Sequence, residues 1–232
     1  ILFDDMPGDV EDLAARQIDI VRDVQNWSPG TELLVCPTYY SFDPVLEKFF
    51  GDRPTGYWQA LGEGLPAAVD IFWTGNEVCS KTITHPNVQE ISKLLGRAPV
   101  LWDNYPVNDG EKASKYLHLR PLSGRDSGLE SCLAGHFCNP MNQPWLSRAG
   151  IAGLAELYGN TEQSLESLYG EQLGKSLRRD ICRLQDQGLG ELEEDDKEQL
   201  RRHYISVEHP AAAELVAWLD NEYLFDPTCL TG

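Results

Sequence analysis

What the chain lacks narrows its function before any motif is read. No apolar run approaches the ~18 consecutive residues that a membrane-spanning helix needs, so no membrane partner is expected. Basic residues are scarce, with 19 Lys and Arg against 37 Asp and Glu. The resulting net charge of −18 opposes a phosphate-tracking surface, which requires clustered cations, and nucleic acid is not an expected partner. The visible start carries no charged segment of signal-peptide type. Six cysteines, at 36, 79, 132, 138, 182 and 229, form no CxxC pair. Several lie in apolar runs (LLVC, EVCS, HFC), which points to buried, reduced thiols and a cytoplasmic setting over a disulfide framework. The five His show no HExxH or HxH spacing, so no metal and no cofactor is expected. One stretch, Gly62-Glu63-Gly64-Leu65-Pro66-Ala67, nominally fits a dinucleotide fingerprint. It precedes a strand-like run instead of following one, and Pro66 removes a backbone donor that a phosphate cradle needs.

What is present is a repeating alternation. A hydrophobic content of 41% with six Trp allows a sizeable core, which excludes wholesale disorder. Five short runs are nearly continuously apolar: ILFDD (1–5), ELLVCPT (32–38), VDIFWTG (69–75), PVLWDNY (99–105) and HFCNP (136–140). That pattern suits strands buried on both faces of a parallel sheet. Between the first two, residues 10–27 repeat Val10, Leu13, Ile18, Val21 and Val24 at helical spacing. Residues 85–96 repeat the arrangement and close on Gly96, a common helix C-cap. Strand–helix alternation predicts an α/β fold with right-handed crossovers. After Gly159 the pattern becomes charged and helical, with an acidic run at 191–199 and a last helical stretch at 211–224. The acidic run predicts a solvated helix face. The expected division is therefore an α/β part over 1–159 and a helical appendage over 160–232.

Polar residues cluster where the runs end. Asp4 and Asp5 close the first, Tyr40 lies just past the second, and Thr74 closes the third. Trp102, Asn104 and Asp109 lie on or after the fourth, and Asn139 closes the fifth. The carboxyl ends of parallel strands are where α/β folds build their sites. Carboxylates, amides and aromatics together suit a carbohydrate, whose hydroxyls need hydrogen bonds and whose ring needs an apolar face. Adjacent carboxylates are awkward for roles on opposite sides of a bond, because successive strand side chains point to opposite faces. A turn at the strand end could bring both to one pocket, which suits hydrolysis assisted by a sugar's own 2-acetamido group. Taken alone, the pair fits an ordinary surface loop better than a catalytic site.

In order, LFDD, CPTYY, WTGNEVCS, PVLWDNYPVND and CNPMN resemble the motifs of glycoside hydrolase family 84, the O-GlcNAcases and bacterial β-N-acetylglucosaminidases often labelled hyaluronidases. The resemblance covers roughly residues 1–160. It implies a retaining exo-β-N-acetylglucosaminidase that acts through an oxazoline-like intermediate without metal or cofactor. Carried over by position, Asp4 orients the acetamido group and Asp5 is the general acid/base. Tyr40 stands beside the acetamido group, and Cys36, Thr74, Val78 and Trp102 form the pocket for its methyl. Asn104, Asp109 and Asn139 clamp the sugar's hydroxyls and amide. Cys36, Val78 and Trp102 also read as plain core residues, and Asp103 as a structural hydrogen-bonding group. Position 39 is Tyr where relatives can carry Glu.

The resemblance also implies a (β/α)₈ TIM-type barrel in which the Asp pair ends the fourth strand. This chain would then hold only about strands 4–8, followed by the helical appendage, and an N-terminal half-barrel would be an expected partner alongside a GlcNAc-bearing glycan or glycoprotein. A different class of function, a non-catalytic glycan-binding or scaffolding half-barrel, stays open from the sequence.

Overall fold

The computed structural model describes residues 1–223 and Phe225. They form two compact units, one from residues 1–103 and 124–137, the other from residues 104–123 and 138 onward. Cys229 and position 224 of the last helical stretch lie outside the described residues.

The first unit is built on strands β1 (Leu33–Val35), β2 (Val69–Trp73), β3 (Val100–Asp103) and β4 (Gly135–Cys138), in the order β1-β2-β3-β4. β1 pairs with β2, and β2 with β3, in parallel. Four of the five apolar runs are therefore strands. The first is not: it makes a single parallel bridge, Leu2 to Cys36, held by Phe3 N–H to Cys36 O at 2.8 Å and Cys36 N–H to Ile1 O at 2.9 Å. The reason is local. Asp4 and Asp5 turn at once, Asp5 adopting the left-handed φ of 56°, so the ladder cannot extend.

Helices α1 (Leu13–Trp27), α2 (Val45–Phe50), α3 (Tyr57–Gly64) and α4 (His85–Leu95) occupy the crossovers. α4 starts on a capping box, with the Thr84 hydroxyl accepting from Asn87 N–H and Pro86 just inside, and stops at Gly96 with φ 65°. α3 packs against both α1 and α4. A Cβ on Gly62 would sit 1.9 Å from the Leu95 carbonyl oxygen, so this approach requires glycine. Arg97 gathers the carbonyls of Gly62, Leu65, Pro66 and Val69, satisfying acceptors that the end of α3 leaves open. The core beneath holds Val21, Val35, Leu61, Ile71, Trp73, Ile91 and Leu101, all nearly inaccessible.

Asp103, the last residue of β3, serves the structural role its neighbourhood suggested. Its side chain is 1% exposed and takes a fork from Arg125, with Nε to Oδ2 at 2.7 Å and Nη2 to Oδ1. His136 Nε2 lies 3.1 Å from Oδ2. Burial alone would raise this carboxyl, but the His136 and Arg125 hydrogen bonds outweigh it and hold it below the ordinary value.

The second unit is helical: α5 (Ser147–Leu157), α6 (Leu165–Tyr169), α7 (Glu171–Ile181), a π-helical turn over Cys182–Gln187, α8 (Glu194–Ile205) and α9 (Pro210–Leu219). Its core includes Leu146, Leu177, Leu184, Leu200, Tyr204, Leu215 and Trp218. The acidic run opens α8, where Glu194 and Asp195 are exposed while Leu200 and Tyr204 face inward. Among the described residues no helix is long and apolar enough to cross a membrane. Cys36, Cys132 and Cys182 are free thiols, but burial is too broad an expectation: Cys79 is exposed in the loop after β2, and Cys182 is exposed on the outer side of the π-helical turn, whose Leu184 faces inward.

Two stability outcomes follow. Gly62→Ala should destabilise the protein by about 1–3 kcal/mol in urea unfolding, because backbone cannot yield to the added methyl. Asp103→Asn should cost about 3–5 kcal/mol by leaving the Arg125 charge buried opposite an amide. Since the Asp103 carboxyl is held below 3.8, its contribution is complete above that pH and is lost as pH falls through the lower folded value. Wild-type stability measured from pH 5 downward should therefore fall by a component that Asp103→Asn lacks.

Candidate active site

Parallel register brings the expected residues of the first unit to one sheet face. Leu34 pairs with Asp70, and Phe72 with Val100. Because side chains alternate along a strand, Cys36, Thr74 and Trp102 then share a face. Leu2, partner of Cys36, lies on this face and is 59% exposed. Trp102 is half-buried and meets Phe72 edge-on, with ring centroids 5.1 Å apart.

Asp4 and Asp5 arrive at the same place. Phe3, just before them, is anchored by a buried relay. Its carbonyl accepts from Thr38 Oγ1 at 2.8 Å, and Thr38 Oγ1 accepts from Gln17 Nε2 at 2.8 Å. Tyr57 hydroxyl donates to Gln17 Oε1 at 2.5 Å and accepts from Thr38 N–H at 3.1 Å. Burial pushes the half-buried Asp4 carboxyl above its ordinary value, against a smaller opposing pull from its own backbone N–H. Asp5 is exposed. Burial also pushes the Cys36 thiol well up, and the Asp4 and Asp5 carboxylates add to that rise. A small buried thiol site therefore feels both carboxylates, as the turn at Asp5 permits.

The loops that follow β1 and β2 carry two more of the expected residues, Tyr40 and Val78. Tyr40 is 5% exposed, and its carbonyl accepts from Thr74 N–H at 2.9 Å. Thr74 Oγ1 reaches Glu77 O at 3.4 Å. Val78 is buried, with its N–H on Asp43 Oδ2 at 3.1 Å. Tyr39 faces elsewhere: its hydroxyl donates to Gly51 O at 2.6 Å and its ring packs edge-on against Tyr57.

In the second unit Asn139 Nδ2 donates to Asn104 Oδ1 at 3.0 Å, joining two of the expected clamp residues. Asp109 is half-buried and follows Asn108, whose buried amide knits the surrounding segments together. Asn108 Nδ2 donates to Tyr116 O and to Gln143 Oε1, and its Oδ1 accepts from Asn142 N–H at 3.0 Å. Sequence reasoning missed Asn108, Thr38, Gln17 and Tyr57; a polar residue beside Asp109 was the one available signal. Among the described residues no group of three or more His, Cys, Asp or Glu is placed to hold a metal ion.

Comparison with known proteins points the same way. The chain is 32% identical to the protein O-GlcNAcases of Rattus norvegicus and Mus musculus over 167 residues, which is 68% of this chain and 18% of each relative. It superposes on a mutant of the O-GlcNAc hydrolase of Thermobaculum terrenum with a TM-score of 0.68 at 29% identity, covering 96% of this chain and 57% of that one. The chain thus spans less than two thirds of the length of these relatives. Residues 1–181 match the family described as beta-N-acetylglucosaminidase, and with its motifs and sheet in agreement the chain belongs to that family, glycoside hydrolase family 84.

Proposed function

We propose that this chain carries the acidic pair and acetamido pocket of a retaining exo-β-N-acetylglucosaminidase acting on terminal β-linked GlcNAc. The observation that carries the reading is the bridge between Leu2 and the buried Cys36 followed at once by the turn at Asp4 and Asp5, which keeps both carboxylates within electrostatic range of that thiol. In this reading Asp4 accepts the acetamido N–H and turns the carbonyl oxygen toward the anomeric carbon. A half-buried carboxylate is poorly solvated, so positive charge developing on the forming oxazoline stabilises it more than water does. Asp5, exposed where a leaving group departs, donates its proton to the glycosidic oxygen and then takes one from the water that opens the ring. Two displacements at one carbon leave the β-configuration unchanged. In the first unit Cys36, Thr74, Val78 and Trp102 are assigned to the methyl and Tyr40 to the amide; the resemblance alone assigns Asn104, Asp109 and Asn139 of the second unit to the sugar's hydroxyls and amide.

The four strands, with the single bridge of residues 1–5 standing in place of a fifth, are read as strands 4–8 of a (β/α)₈ barrel, with residues 1–159 its C-terminal portion and 160–232 the helical appendage. The coverage of the bacterial hydrolase chain, 57%, supports a barrel completed by further sequence, whose strands would cover Leu2 and the exposed Phe137. The test is hydrolysis of an aryl β-N-acetylglucosaminide by this chain, alone and mixed with the remaining barrel strands. Activity in the mixture, with β-GlcNAc as the first product, is expected. GlcNAc binding without hydrolysis in either sample would make the chain a binding module instead.

Two variants separate the carboxylates. Asp5→Ala should lose about 100-fold or more on poor leaving groups and far less on a dinitrophenyl glycoside, which departs without a proton; equal losses would remove it as the acid. Asp4→Asn should slow both substrates alike. A raised carboxyl binds its proton more tightly when folded, so its effect on stability turns unfavourable as pH rises from 3.8 through the folded value. Asp4→Asn should consequently be no less stable than wild type at pH 7, with the difference vanishing below pH 3.8.

A further inference from the structure

The Arg125 guanidinium does more than neutralise Asp103. Its Nη1 donates to Lys81 O at 2.9 Å and its Nη2 to Ser80 O at 3.0 Å. The backbone on either side of it pairs with the same loop, Ile83 N–H to Gly124 O at 2.9 Å and Asp126 N–H to Ile83 O at 3.0 Å. Gly124, with φ 75°, lets this approach occur, since a Cβ there would lie 2.4 Å from Lys81 O. One side chain, 4% exposed, therefore binds the last residue of β3 and two carbonyls of the loop that follows β2. That loop carries Val78, and β3 carries Trp102.

The loop is hydrogen-bonded within itself between its ends. Ser80 Oγ donates to Glu77 O at 2.8 Å and accepts from Glu77 N–H at 3.0 Å, closing a tight turn around Val78. The turn packs on Gly75, where a Cβ would lie 2.0 Å from Ser80 Oγ. Asp43 Oδ2 holds Val78 N–H from the other side. The turn is therefore held from two sides, by Asp43 on Val78 N–H and by Arg125 on the carbonyls of Ser80 and Lys81, and only the second tie links it to β3.

We propose that Arg125 is a positioning residue that, by tying Ser80 and Lys81 to Asp103, sets the gap between Val78 and Trp102 and so selects the length of the substrate's N-acyl group. The inference rests on the reading of Val78 and Trp102 as walls of the acetamido pocket. A lysine at 125 keeps the charge opposite Asp103 but cannot span three acceptors with a planar fork. The loop would then be free to drift outward and admit a longer acyl chain.

The experiment compares kcat/KM for aryl N-acetyl- and N-butyryl-glucosaminides in the wild type, Arg125→Lys and Asp43→Ala, each in the form of the protein that is active. The wild type should prefer N-acetyl. Arg125→Lys should narrow that preference about tenfold, the scale on which one or two methylenes are discriminated. Asp43→Ala spares the buried ion pair, so it keeps the test alive if Arg125→Lys does not fold, and it should narrow the ratio in the same direction. Equal losses on both substrates, or an unchanged ratio, would reduce Arg125 to a stabilising residue and overturn the proposal. A wild type that hydrolyses neither substrate would overturn the glycosidase reading itself, and this inference with it.

Discussion

Parallel register is the constraint on which the first unit depends. Leu34 opposite Asp70 and Phe72 opposite Val100 decide which side of every strand faces the helices. A slip of one residue would reverse them all. With this pairing Val35, Ile71, Trp73 and Leu101 enter the core beneath α1, α3 and α4. Cys36, Thr74 and Trp102 are left on the opposite face. Phe72 lies there too, edge-on to Trp102 at 5.1 Å and to Phe137 at 5.6 Å, forming an aromatic column below the polar strand ends. Apolar wall and polar rim thus come from one geometric decision.

Two aspartates in this unit show how burial can be used in opposite ways. Asp103 is the more deeply buried, yet its carboxyl is held low, because Arg125 and His136 give it more than burial takes away. Asp4 is less buried and its carboxyl is raised, because its own backbone N–H and the amino charge of Ile1 together offset less than the lost water. A compensated charge holds elements in place. An under-compensated charge in an accessible position improves when a ligand supplies the missing donor or positive charge, the expected signature of a working group. The two aspartates thus differ in electrostatic environment, although they look alike in sequence.

How far the sequence could be read depended on the range of the interaction. Local patterns were legible: the runs at 32–38, 69–75, 99–105 and 136–140 are strands, α1 falls within 10–27, and α4 ends at Gly96. The run at 1–5 misled because apolar content says nothing about a turn that begins at its fourth residue. The relay from Phe3 through Thr38 and Gln17 to Tyr57 was invisible, since it joins residues 35, 21 and 40 positions apart with no periodicity. Arg125 and Asp103, 22 apart, were hidden for the same reason. The candidate site residues came chiefly from the resemblance; residue type and strand-end position narrowed the field without assigning roles.

The second unit makes its own argument about what a charged helical segment is for. Glu214 on α9 accepts from Trp145 N–H at 3.0 Å and Leu146 N–H at 2.9 Å, satisfying donors at the start of α5. Gln185, in the π-helical turn, accepts from Leu119 N–H and Arg120 N–H, and Trp218 Nε1 donates to Ser114 O at 2.9 Å. Arg120 in turn forks onto Asp186. Residues 113–120 and 141–147 have few regular backbone partners of their own, and a buried amide without a partner is costly. The side chains of α9 and the π-helical turn supply what a ladder would otherwise supply. Asn108 performs the same service between Tyr116, Asn142 and Gln143. Irregular chain around Asp109 and Asn139 is therefore held by helices remote in sequence, which is why the unit gathers 104–123 with the C-terminal helices.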